Sequence, residues 1–173
     1  MSTFSYLDIG ANMPDFGNNT YLFYTLGKRG VCVEADKTLL PRLKSLRPED
    51  TIVDAGVAVG EEKEAMFYIF NNKHLNTFDK EEAEKRSLSR EFKVVEIVPV
   101  PLVNINELIS TYFETYPEFL SLDIEGLDLP VLKSLDWERY PIPIICVETC
   151  TFSENHIRLK NHDISQFLAS RNY

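Results

Sequence analysis

The chain has 173 residues, 44% of them hydrophobic, which is enough for one globular domain and too few for two full ones. Lys and Arg number 18 against 27 Asp and Glu, giving a formal charge of -9; with no basic cluster interleaved with aromatics, nucleic acid is not an expected partner. Apolar runs such as Ile144 to Val147 fall far short of the ~20 residues of a membrane span, and Met1 to Asp8 has neither the basic start nor the apolar stretch of a secretion signal, so no membrane association and a cytoplasmic address are expected.

In chain order, Tyr6 to Ile9, Gly30 to Val33, Thr51 to Val53, Phe119 to Leu122 and Ile144 to Val147 are short apolar runs bounded by Gly, Pro or acidic residues, the pattern of strands buried on both faces. Helical spacing falls between them, over Thr20 to Leu26, Lys37 to Leu46, Ile105 to Phe113, Leu129 to Leu135 and Ile164 to Arg171. Strand alternating with helix predicts right-handed crossovers, and so an α/β fold: a doubly wound, mostly parallel sheet with helices on both faces. Two more strand candidates, Ala65 to Phe70 and Val94 to Val100, flank Asp79 to Arg90, whose alternating charge predicts a solvated helix or mobile loop. Pro99 and Pro101 mark the second of these as an edge strand. Cys32, Cys146 and Cys150 sit among apolar or β-branched residues and read as small buried hydrophobes, while Trp137, Tyr68, Phe70 and Phe78 read as packing.

The first strand ends in Asp8-Ile9-Gly10-Ala11-Asn12, and Gly17-Asn18-Asn19-Thr20 opens the helix after it. Ligands dock at this turn in a doubly wound sheet, because glycine lets the backbone approach closely and the helix end offers free N–H groups. The same residues also suit an ordinary turn, with Asn19 or Thr20 as helix cap. Glu34 ends the second strand about 20 residues past the glycine, the spacing at which an acid accepts both hydroxyls of a ribose; a solvated strand end, or a cap for the helix near Lys37, is the alternative. The turn lacks the G-x-G-x-x-G pattern that cradles a pyrophosphate, so a nucleoside without phosphates, such as S-adenosylmethionine, fits better than the dinucleotide of an NAD-dependent oxidoreductase.

Asp8 to Asn12, Asn18-Asn19-Thr20, Gly30 to Glu34, Ser121-Leu122-Asp123-Ile124-Glu125-Gly126 and Val147-Glu148-Thr149, in this order, resemble the FkbM-type S-adenosylmethionine-dependent methyltransferases over nearly the whole chain. The resemblance implies a class I, Rossmann-like methyltransferase fold and methyl transfer to a hydroxyl oxygen of a sugar, glycan or other small acceptor. It implies Asp8, Gly10 and Asn12 along the methionine part of the cofactor, with Asn19 and Thr20 beside them. Glu34 would hold the ribose with Ala35 and Asp36 adjacent, and Gly56 and Val57 would flank the adenine. Asp123 and Glu125 would stand at the transferred methyl with Glu148 close by, as bases or as ligands of a divalent cation orienting a diol; a structural turn is the competing reading. His74, on a loop that closes over the site in that family, is a further candidate base.

Two departures from the family pattern stand out. Met13-Pro14-Asp15-Phe16 lengthens the first turn, and Arg171-Asn172-Tyr173 falls where the family continues into its last antiparallel strands. The second departure predicts an exposed sheet edge, open to pairing with another copy, or a degenerate domain that binds cofactor without turnover.

Overall fold

The computed structural model describes residues 4–124, 126–151, 159–160 and 162–173. In chain order the elements are β1 (Ser5–Ile9), α1 (Tyr21–Thr25), β2 (Arg29–Glu34), α2 (Leu40–Leu46), β3 (Thr51–Asp54), β4 (Gly56–Ala58), β5 (Glu64–Phe70), α3 (Lys80–Arg86), β6 (Val94–Asn104), α4 (Ile105–Tyr112), β7 (Phe119–Leu122), α5 (Asp128–Ser134), β8 (Ile144–Val147), β9 (Cys150–Thr151), β10 (Leu159–Lys160) and α6 (His162–Ser170). Five strands form a parallel sheet in the order β3-β2-β1-β7-β8. The chain winds outward from β1 and then resumes on its other side, so the order reverses between β1 and β7. In such a sheet the crevice at the carboxyl ends of those two strands is where ligands bind.

Period-two alternation divides the strand residues between two layers. On one face Leu7, Ile9, Val31, Val33, Leu120 and Leu122 pack against Ile105, Leu108 and Ile109 of α4, Val131 and Leu132 of α5 and Ile164 of α6. The 105, 108, 109 spacing puts one stripe of α4 against the sheet. Each Leu or Ile buried in this way contributes roughly 1.5–3 kcal/mol. On the other face Cys32 packs with Leu40 and Leu43 of α2, and the ring of Phe119 meets Phe23 of α1 at 4.9 Å.

That second face also carries a polar row. Asp8 pairs in register with Cys32 on one side and Ser121 on the other. Arg47, at the end of α2, is fully buried beneath it and is compensated by Asp50 at 2.7 Å and Asp8 at 3.4 Å, as a buried cation must be. Tyr6 closes the row by donating its hydroxyl to Asp50.

The smaller sheet has the order β4-β6-β5, with β5 antiparallel and β4 parallel to β6. The run with Pro99 and Pro101 is an edge as far as Pro101, as expected, but β6 runs on to Asn104 and its last residues lie in the middle of the sheet. It has β5 beside it from Val94 to Pro101 and gains β4 only from Leu102. Leu102 N–H points toward β5, donating to Lys63 O, so by alternation the proline nitrogens face the side that β4 has not yet reached. The charged segment is likewise more ordered than its composition predicts. Asp79 accepts the Glu82 amide as the cap of α3, while Ala83 and Arg86 are buried and Arg86 donates to Leu75 O at 2.8 Å.

Cys32 is buried, which pushes its thiol up, and Cys146 is half-buried; of Cys150 only the backbone is described. Among the described residues beyond β8 the antiparallel pairing is that of the two-residue strands β9 and β10. Among the described residues no helix is long and apolar enough to cross a membrane.

Candidate active site

The turn after β1 is shaped by backbone that few side chains tolerate. Gly10 has φ 79 and Asn12 φ 46, and the amides of Gly10 and Ala11 both donate to Val33 O, at 3.0 and 3.1 Å. Asp123 N–H donates to Ile9 O at 3.1 Å, bringing the turn after β7 against the turn after β1. A Cβ on Gly10 would lie 2.0 Å from Asp123 O, so only glycine permits this approach.

Asn18 holds the far side of the turn. Its Oδ1 accepts the amides of Thr20 and Tyr21 at 2.9 and 2.8 Å, and its Nδ2 donates to Ala11 O at 2.8 Å. The cap of α1 is thus supplied by Asn18, not by Asn19 or Thr20. Asn19 instead donates to Ser121 Oγ at 3.1 Å.

Glu34 is buried at the end of β2, where its Oε2 accepts the Asn12 amide at 2.8 Å and its Oε1 the Asp36 amide at 2.7 Å. Burial pushes its carboxyl up to about 7, against the opposing pull of these two amides. Asp36 turns away. Its Oδ1 holds Thr38, and its Oδ2 meets Asn76 Nδ2 at 3.3 Å and Lys73 Nζ at 3.4 Å, fastening the 73–76 turn to the end of β2.

These parts enclose a cleft of about 930 Å³, its open mouth included. The glycine turn, Glu34 and Asp123 form a polar floor; Ala35, Leu39, Val57, Phe67 and Phe78 form an apolar wall, the two phenyl rings 4.5 Å apart. A Cβ on Gly56 would lie 2.3 Å from the Phe78 ring, so this glycine lets the wall close. Lys73, His74 and Phe16 are exposed and stand at the rim.

Asp123 is half-buried in the floor and is pushed up to about 7, first by burial and then by the nearby charges of Glu148, Asp128 and Asp8. Asp128 shapes the turn by accepting the amides of Ile124 at 3.1 Å and Gly126 at 3.2 Å, and burial pushes its carboxyl up as well.

Of the residues expected at the site, Asp8, Gly10, Asn12, Asn19, Glu34, Ala35, Gly56, Val57, Asp123 and His74 line the one cleft. Thr20 and Asp36 do not: the side-chain oxygens of each are bonded to protein. Glu148 approaches Asp123 from outside the lining, and Glu125 lies outside the described residues. Among the described residues no group of three or more His, Cys, Asp or Glu is arranged to hold a metal ion, so the expected cation site has no support. Asn18, Phe67, Phe78, Asn76 and Lys73 line the cleft without having been singled out for it. Only Asn18 had a readable signal, a side-chain acceptor three residues before the first helical position.

Residues 8–173 match the methyltransferase FkbM domain, a span that takes in both turns, Glu34 and every lining residue. The chain belongs to this family. No curated protein and no solved structure matches it. The FkbM domain assignment makes the chain a methyltransferase by family, and its parallel sheet with the cleft at the β1/β7 switch point agrees with that class.

Proposed function

We propose that this FkbM domain transfers the methyl group of S-adenosylmethionine to a hydroxyl oxygen of a sugar, glycan or other small acceptor. The observation that carries the reading is Glu34. A carboxylate has about four lone-pair sites; the amides of Asn12 and Asp36 take one on each Glu34 oxygen and that of Ala35 also pulls on the carboxyl, which still leaves acceptor capacity for ribose hydroxyls in the cleft. The rest of the cleft suits the same ligand. The apolar wall of Ala35, Val57 and Phe78 suits a purine, and the close turn at Gly10, where a Cβ would collide, suits a chain lying against backbone.

The cofactor, when bound, supplies an electrophilic sulfonium methyl. The protein has then to hold the acceptor oxygen in line with that methyl, exclude water and take up one proton. Asp123 fits the last task, since a carboxyl held near neutrality accepts the hydroxyl proton as the oxygen attacks. His74 offers a second place for it at the rim.

Calorimetric titration with S-adenosylhomocysteine, run beside NADH, tests the cofactor. Micromolar binding of the former alone supports the reading and justifies a screen of hydroxyl acceptors. Binding of NADH in its place would overturn it.

A further inference from the structure

Arg47 does not line the cleft, yet its guanidinium reaches two residues that do, Asp8 and Asn18, at 3.4 and 3.3 Å. It has no exposed surface, and Asp50 fixes its Nε at 2.7 Å. The other arm donates to Thr20 Oγ1 at 2.8 Å, and Thr20 in turn donates to Asp8 Oδ2 at 2.5 Å.

The bonds to Asp8 are lopsided. Thr20, Asn18 and Arg47 all converge on Oδ2, at 2.5, 3.1 and 3.4 Å, while among the described residues Oδ1 accepts none. Three donors on one oxygen fix the plane of the carboxylate. Because Asp8 lines the cleft while only 2% exposed, Oδ1 is the oxygen left to a ligand. A carboxylate held almost out of water is costly, and a cationic ligand group at Oδ1 lowers that cost.

We propose that Arg47 and Thr20 are positioning residues for the cofactor: by saturating Asp8 Oδ2 they hold Oδ1 toward the positively charged methionine end of the ligand. The proposal rests on the reading that the cleft binds S-adenosylmethionine. Arg47 suits the task because its planar fork spans Asp50, Thr20, Asn18 and Asp8 at once, which a lysine ammonium cannot do. If Arg47 served only to neutralise buried carboxylates, ligand affinity would follow overall stability.

Urea midpoints and calorimetric affinities for S-adenosylhomocysteine separate the two roles. Thr20→Val removes the bridging hydroxyl and keeps the shape; Thr20→Ser restores it; Arg47→Lys keeps the charge and loses the fork. Ile109→Ala lowers stability from the opposite face of the sheet without touching the row. Thr20→Val and Arg47→Lys are expected to raise Kd about tenfold, the effect of losing one hydrogen bond to a charged group. Thr20→Ser and Ile109→Ala should stay within about twofold of wild type. Wild-type affinity in Thr20→Val overturns the proposal, as does an equal loss in Ile109→Ala. Should Arg47→Lys fail to fold, the Thr20 pair decides alone. Wild-type protein that is folded and binds no S-adenosylhomocysteine would overturn the cofactor reading itself, and the role of Arg47 with it.

Discussion

Glu34 Oε2 accepts the amide of Asn12 at 2.8 Å, so the acid that ends β2 and the turn that ends β1 form one hydrogen-bonded unit. The residue suited to the ribose therefore also holds the shape of the turn suited to the methionine end. A change at Glu34 reaches both.

Glu34→Ala should accordingly weaken S-adenosylhomocysteine binding by about 1.5–3 kcal/mol, the range for hydrogen bonds to a charged group, which is about 10- to 100-fold in Kd. Glu34→Gln, which keeps one oxygen for a backbone amide, should lose less. Calorimetry reads both, and unchanged binding in Glu34→Ala would remove this residue from the site.

Glu34 and Asp123 are pushed up to about 7 from ordinary values of 4.5 and 3.8. The folded protein therefore keeps protons that the unfolded chain has already released at these positions. Stability from these groups is fully present below their ordinary values and is lost as pH rises toward 7. In urea denaturation from pH 4 to 8, Glu34→Gln should show a shallower fall with pH than wild type. Ligand donors that favour the ionised Glu34 should also release protons, so the heat of S-adenosylhomocysteine binding near pH 7 should depend on the ionisation enthalpy of the buffer. Identical heats in two such buffers would contradict this.

Gly10→Ala introduces a Cβ at φ 79, 2.0 Å from the Asp123 carbonyl oxygen. The left-handed backbone alone costs roughly 1–2 kcal/mol, and backbone on both sides of the clash leaves no flexible side chain to yield. Loss of more than about 2 kcal/mol in a denaturant titration is expected, together with loss of ligand binding. A variant as stable as wild type would show that the two turns do not meet.

Asp123→Asn separates binding from chemistry. It keeps the size of the side chain and removes the proton acceptor, so methyl transfer should fall by about 10² to 10⁴ while the affinity for S-adenosylhomocysteine changes little. Retention of full transfer would point to His74 as the base, and His74→Gln would then carry the loss.

The parallel sheet was legible because strands buried on both faces leave unbroken apolar runs, and all five lie where such runs occur. Glycine in the first turn and the acid at its spacing were legible too, since a close approach and a charge at a strand end each need particular residue types. The direction of a side chain at a strand end was not. Asp36 and Thr20 stand next to site residues in sequence, yet their oxygens are taken up by Asn76 and Thr38, and by Asp8 and Arg47. The buried Arg47 left no mark in the pattern, because its partners Asp8 and Thr20 lie 39 and 27 residues away. The wall of Phe67 and Phe78 was missed for a related reason: aromatic residues look alike in sequence whether they pack a core or line a cleft.

The chain crosses between the two sheets twice, and the first crossing is a single residue. β3 ends at Asp54, β4 begins at Gly56, and only buried Ala55 lies between them. The stretch from Asn71 to Lys93, by contrast, hangs from the ends of β5 and β6 and brings the 73–76 turn to the rim. The short joint leaves no slack between the sheet that carries Glu34 and the apolar wall opposite, whereas the long excursion can be rewritten without altering a strand pair of the large sheet. In such an arrangement the rim can vary while the large sheet stays constant, so sequence divergence among members of this family should concentrate in that excursion outside Phe78, which belongs to the apolar wall.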